Sequence, residues 1–455
     1  MNVHRVQQER KQLFEAVYNG IIPRRVPIMA NLPIEFCIQY AGLPLAETQW
    51  TLDGIEDALD KACKIVGSDY YPFGFMRFPA PLQILGSRGF VMGSNGFIQH
   101  PEVTGMEVDE YDDFIKNPYD CILEKILPRL YPELDADPVT RSLIFAKAFK
   151  AHYDYQEFFM KIEAKMVQKY GFYTAPKGSL AAVTVPFDFL ADFLRGFKGI
   201  SMDVRRCPQK ILEACEAVLP LQIKKGMPKR PSKYGQTFIP LHMGPYLRTS
   251  DFEKLYWPTF SKMVQIFSDA GQPCRLFCEH DWMRYLDYLQ ELPENTRLHF
   301  EYGDPKLVKE KLGKKHIISG FYPLTYLKTA TKQQCIDKAK ELIDVLAPGG
   351  KYVFAFDKSP VSLDSVDINN YIAVLEYIVQ NTEYASAGEL APAVDKTVDK
   401  PAVTKEIPIF KSKYCRTWEE YKKGRPAIIA GLEHVIASKM QNYEDMLFDM
   451  ISRLM

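Results

Sequence analysis

The stretch "CRLFCEHDW", Cys274 to Trp282, carries an apolar strand-like run into Glu279, His280 and Asp281. Two carboxylates around an imidazole at a strand end are the groups of a hard metal site or of general acid–base chemistry. Similar side chains stand where other strand-like runs end: His242 after "TFIPL", Glu301 after "RLHF" and Asp357 after "KYVFAF". Asn31, Tyr322 and the pair Phe187–Asp188 occupy corresponding places after further runs. Glu279 has no ordinary structural role at such a place, since burying an unpaired carboxylate is costly. Asp281 has one, as a cap on the helix beginning "WMRYLDYLQEL". His242 is open between a structural and a functional role, while His299 and His316 lie near strand starts and are read as structural. Because alternate strand residues share a face, Glu279 and Asp281 are expected to point together, with His280 turned away.

The runs that must position these residues are 25–32, 69–75, 180–186, 237–243, 273–279, 297–302, 316–322 and 351–357, each followed by helical patterning. Strands apolar on both faces, alternating with helices, indicate a parallel sheet covered by helices. Eight such units predict an α/β fold, a single (β/α)₈ TIM barrel over about 1–385. The N-terminal "MNVHRVQQERKQLFEAVYNG" reads as a helical extension, "LGSRGFVMGSNGFIQH" as a hairpin insertion, and 109–175 as largely helical. Residues 386–408 read as a flexible linker or loop, and 409–455 as a helical appendage with an apolar stripe from Ile428 to Leu454. That stripe suits either packing on the outside of the barrel or a contact with a partner, a second copy included.

The chain has 455 residues, 47% apolar and 25% charged, with 57 basic and 57 acidic side chains. A zero formal charge argues against a nucleic-acid surface. No apolar run approaches the ~20 residues of a membrane span. Nine cysteines without CxxC pairs fit a reducing, cytoplasmic setting rather than a disulfide framework. No G-x-G-x-x-G follows the first strand, so a dinucleotide site is not expected.

The run from "CEHDWMRYLDYLQELPENTRLHFEYGDPKLVKEKLG" through "HIISGFYP" and "KAKELIDVLAPGGKYVFAFD" to "YIVQN" resembles the second half of the uroporphyrinogen decarboxylase superfamily, and "PRRVPI" resembles its opening. The likeness spans about 25–380 and implies the same (β/α)₈ barrel. The family's decarboxylases carry R-Q-A-G-R after the first strand to hold substrate carboxylates; here that place reads "MANLPIEFCIQYAG", without arginine. Its corrinoid-linked methyltransferases hold zinc through H-x-C and a later Cys after P-G. Here the matching positions are Glu279-x-Asp281 and Pro348-Gly349-Gly350, so the spacing survives and the thiolates do not. The version present resembles methyltransferases that demethylate methoxylated aromatics onto a corrinoid protein.

The resemblance therefore implies an enzyme, a corrinoid-dependent methyltransferase component. Its partners would be a corrinoid protein and a small methylated substrate. The catalytic residues would be Glu279, Asp281 and His242, with Asn31, Phe187, Tyr322 and Asp357 around the substrate. Any zinc would sit on Glu279, Asp281, His242 and Glu301. The alternatives are a uroporphyrinogen-type decarboxylase and a non-catalytic barrel that binds a partner.

Overall fold

The computed structural model describes residues 2–74, 77–393, 408–423 and 431–455. Nine short strands are present among them: β1 Leu32–Pro33, β2 Phe73–Gly74, β3 Val91–Met92, β4 Ile98–Gln99, β5 Leu180–Ala182, β6 Gln236–Leu241, β7 Cys274–Asp281, β8 Arg297–Tyr302 and β9 Ile317–Gly320. β5 to β9 form one parallel sheet in sequential order. β1 pairs with β2 in parallel, and β3 with β4 as the expected antiparallel hairpin.

Helices separate the parallel strands, as such connections require. Trp257–Asp269 lies between β6 and β7, Leu286–Glu291 between β7 and β8, and Pro305–Leu312 between β8 and β9. Their starts are written in the sequence. Asp304 accepts from the Lys306 and Leu307 N–H groups, Thr331 and Gln334 form a capping box, and Asp367 caps Ile368–Asn381.

Along β6 and β7 fully buried residues alternate with partly exposed ones. Thr237, Ile239, Leu241, Cys274, Leu276 and Cys278 pack into the helical layer. The alternate set occupies the other face, where Gln236, Phe238, Arg275 and Phe277 line a cavity and Glu279 follows at the strand's end.

Three of the eight expected strands are not regular. In 25–32 and 351–357 parallel pairing is reduced to single bridges, Ile28 with Phe354, Tyr352 with Ile318 and Phe356 with Tyr322, and 69–75 contributes β2 and the Tyr70–Tyr173 bridge. Pro27, Pro33 and Pro72 have no N–H to give to a ladder, and Lys351 sits at φ 52°, outside strand geometry. Side chains make up part of the loss. Asp69 accepts two bonds from the Arg25 guanidinium, at 2.6 and 2.8 Å, and one from the Ile28 N–H at 2.9 Å.

The N-terminal helix Val3–Tyr18 presses Phe14 onto Tyr173, with ring centroids 5.1 Å apart. The helix Pro138–Tyr170 is the longest element between β4 and β5. At the C-terminus, Glu433–Arg453 buries Phe448, Met450 and Ile451, and its end is fixed by Tyr131 Oη donating to the Leu454 carbonyl at 2.6 Å. The expected apolar stripe is thus split. Met450 and Leu454 are buried, Val435, Tyr443 and Leu447 are exposed, and Ile428 and Ile429 lie outside the described residues. The linker reading likewise falls mostly on 394–407, outside them, but Gly388, Glu389 and Ala391 hydrogen-bond along Gly20–Ile22. No helix among the described residues is long and apolar enough to cross a membrane.

Candidate functional site

The carboxyl end of β7 does not leave the sheet cleanly. Pairing with β8 shifts register between Cys278 and Asp281, and His280 stands at φ 58°. Trp282 holds this bend from below. Its indole N–H donates to the Glu279 carbonyl at 2.8 Å, and its ring lies so close to Gly244 that a Cβ there would come within 2.5 Å of it. The bend overturns the expectation that Glu279 and Asp281 share a face, because alternation holds only along a regular strand. Asp281 is exposed and accepts from the Met283 N–H at 2.8 Å, which makes it a turn cap.

Glu279 faces His242. Its Oε2 lies 3.3 Å from His242 Nε2, while His242 Nδ1 lies 2.8 Å from Asp192 Oδ2. Imidazole thus bridges a carboxylate on the helical segment Leu190–Arg195 and one at the end of β7. Burial would push His242 down, but the Asp192 hydrogen bond and the charges of Asp192, Asp188 and Glu279 outweigh it and raise the imidazole to about 9. Burial raises Glu279 above the usual carboxylate range, with Glu301 adding to this and His242 opposing it. The result is a charged imidazole beside a carboxyl that binds its proton more readily than usual.

Asp188 supports this group from beneath. Fully buried, it accepts from the His242 and Met243 N–H groups, each at 3.0 Å, and from Tyr256 Oη at 2.8 Å. Burial and the Asp192 charge raise its affinity for a proton. Asp188 therefore fixes the backbone that carries His242. Asp192 is the residue that the sequence reading missed. Its signal was present in "FDFLAD", where Asp188 and Asp192 stand four apart and so share one helix face.

The remaining candidates divide. Glu301 accepts from the His280 N–H at 2.9 Å and from Lys358 Nζ at 2.8 Å; burial would raise it, but these donors hold it below the usual range. Asp357 accepts from the Leu324 and Lys358 N–H groups at 2.9 and 2.8 Å. Phe187 is fully buried against Tyr256, and Tyr322 donates to the Cys335 carbonyl at 2.9 Å within the core, so neither is available to a substrate. Asn31 does line the cavity below the rim. That space, about 300 Å³, is bounded by Met29, Asn31, Phe238, Arg275, Phe277 and His299, with Phe356, Lys358 and Ser359 among its other walls.

The zinc ligands nominated from the sequence do not fit a metal as a set. Only His242 and Glu279 converge; Asp281 is held by its own turn and Glu301 by Lys358 and the His280 N–H. Among the described residues, no group of three or more His, Cys, Asp or Glu side chains is disposed to hold a metal ion. No protein-family model matches the chain, and no curated protein matches it significantly.

Proposed function

We propose that the chain is a (β/α)₈ barrel enzyme of the corrinoid-dependent methyltransferase kind, acting on a small methylated donor. Parallel pairing, bridges included, passes from β5 through β9 to 351–357, 25–33 and 69–74, ending at Tyr173, only seven positions before Leu180 where it began. That order favours a closed ring over an open sheet. The proposed reaction centre stands at the carboxyl ends of its strands, where barrels of this kind keep their chemistry.

The observation that carries the functional reading is the Asp192–His242–Glu279 row, in which one imidazole stands between two carboxylates. A methyl ether resists cleavage because its oxygen leaves poorly as an anion. A charged imidazole in contact with a carboxyl of raised proton affinity stabilises that oxygen or protonates it as the methyl group departs. Asp192 holds the imidazole in its charged form, Asp188 fixes its backbone, and Glu279 presents or receives the proton. A reduced corrinoid carried by a partner protein would supply the nucleophile. Exposed Phe197, Tyr246 and Tyr302 near the rim offer apolar surface for such a partner. The donor is small, since a cavity of about 300 Å³ stands at the lower end of the roughly 300–1,000 Å³ typical of ligand pockets.

The test is methylation of a reduced corrinoid protein from a series of methoxylated benzenes, followed by the absorbance change of the corrinoid. Transfer that requires this chain supports the reading. Carbon dioxide release from uroporphyrinogen would replace it with the decarboxylase alternative.

A further inference from the structure

Arg275 stands four residues before Glu279 on the same face of β7, which places their backbones ~13 Å apart along the strand. It is half-buried in the sheet's inner face and lines the cavity. Buried guanidinium groups are normally paired with carboxylates. Arg275 forms no ion pair with any described residue; its polar contact is His299 Nδ1 at 3.4 Å. That histidine is a neutral acceptor. Burial and the Arg275 charge push it down to about 3, and its Nε2 faces the Asp357 carbonyl at 2.9 Å, so the proton belongs on Nε2 and Nδ1 is bare.

A second cation deepens the imbalance. Arg297 gives its donors to Gln236 Oε1 and the Lys233 carbonyl and stacks 3.6 Å over Tyr18, again without a carboxylate. Phe238 stands level with Arg275, and Phe277 and Phe356 continue the flat, apolar wall above it, while Asn31, Lys358 and Ser359 stand nearer the strand ends. One end of the cavity is thus positive and short of a partner, its middle suits a ring, and at its other end Lys358 bonds Glu301, whose charge acts on Glu279 of the proposed reaction centre.

We infer that the cavity is an organic-anion site in which Arg275 binds the carboxylate of a small flat substrate, whose body lies between the phenylalanines and whose far end reaches the rim. The inference rests on the proposed function only for what happens at that far end. Arg275 is then a specificity residue. A planar carboxylate matches the two parallel N–H bonds that a guanidinium offers, and it supplies the missing charge. The ~13 Å between the two backbones is divided between the Arg275 and Glu279 side chains and a single substituted ring.

The test measures binding to the full-length protein by calorimetry, with no corrinoid present, so that failure of methyl transfer cannot affect it. The probes are 4-methoxybenzoate, neutral 4-methoxybenzamide and inorganic phosphate. The benzoate should bind at least ~30-fold more tightly than the amide, as loss of a charge-assisted bidentate contact would require. Arg275→Met should erase that preference without lowering the melting temperature in ligand-free buffer, because it removes an uncompensated buried charge. Equal binding of benzoate and amide, no binding of benzoate, or an unchanged preference in Arg275→Met would overturn the proposal. So would phosphate binding as tightly as benzoate, or an Arg275→Met chain that no longer folds; the wild-type comparison of benzoate with amide stands without the variant.

Discussion

Replacing Asp192 with Asn isolates the electrostatics on which the candidate site depends. His242 is raised from 6.5 to about 9, with the Asp192 hydrogen bond and charge as the two largest influences working against burial. A difference of about 2.5 units corresponds to about 3.4 kcal/mol of preference for the charged form. The His242 side chain is one-third exposed, so solvent screening reduces the usable part to ~1–2 kcal/mol. In Asp192→Asn the charge is gone while Asp188 and Glu279 remain, and we expect His242 to fall by at least ~1 unit towards its ordinary value. At pH 8 the imidazole would pass from about nine-tenths charged to about half charged or less.

The folded imidazole binds its proton more tightly than the unfolded chain does. Its contribution to stability is therefore complete below about 6.5 and is lost as pH rises through about 9. The assay is proton NMR of the histidine ring signals between pH 5 and 10, with His242→Gln to assign the resonance among eight histidines. Denaturant melts at pH 6.5 and 9.5 should show a smaller pH dependence in Asp192→Asn than in the wild type. A wild-type His242 titrating at or below 6.5, or one unmoved by Asp192→Asn, would refute the reasoning.

Glu279→Gln keeps the shape and removes the ionisable carboxyl, so methyl transfer should fall by ~10²–10⁴ while the circular dichroism spectrum stays unchanged. Asp281→Ala should cost about 0.5–2 kcal/mol in a urea melt through loss of its turn cap and leave kcat within about threefold of wild type, unlike Glu279→Gln. Gly244→Ala should drive a methyl group into Trp282 and destabilise the fold by ~1–3 kcal/mol, with a change in indole fluorescence reporting the displaced ring. Asp69→Asn should cost ~3–5 kcal/mol, because it leaves the buried Arg25 guanidinium without its carboxylate.

Much of the architecture was legible because it depends on local pattern. The apolar runs at 237–243, 273–279, 297–302 and 316–322 became β6 to β9 within a residue or two at most ends, and the glycine-punctuated stretch after Leu85 became a hairpin. The run at 25–32 was less legible, because its prolines remove donors from the ladder and leave pairing to single bridges. In the site, Glu279 and His242 were found from their strand-end positions. Asp281 was misread because the parity rule assumes a regular strand, and nothing in "CEHDW" announces that His280 takes a left-handed conformation. Phe187 and Tyr322 were placed one side-chain direction out, facing the helical layer instead of the cavity. Asp192 and Arg275 were overlooked for a different reason. Each gains its meaning from distant groups, Asp192 from an imidazole 50 positions along the chain and Arg275 from the lack of an ion-pair partner among the described residues.

The most direct measurement is single-turnover methyl transfer from 4-methoxybenzoate to a reduced corrinoid protein, followed by absorbance with wild-type chain, Glu279→Gln and His242→Gln. Transfer is expected with the wild type, and a loss of ~10²-fold or more in each variant with folding intact. Transfer at the wild-type rate in both variants would remove Glu279 and His242 from the reaction.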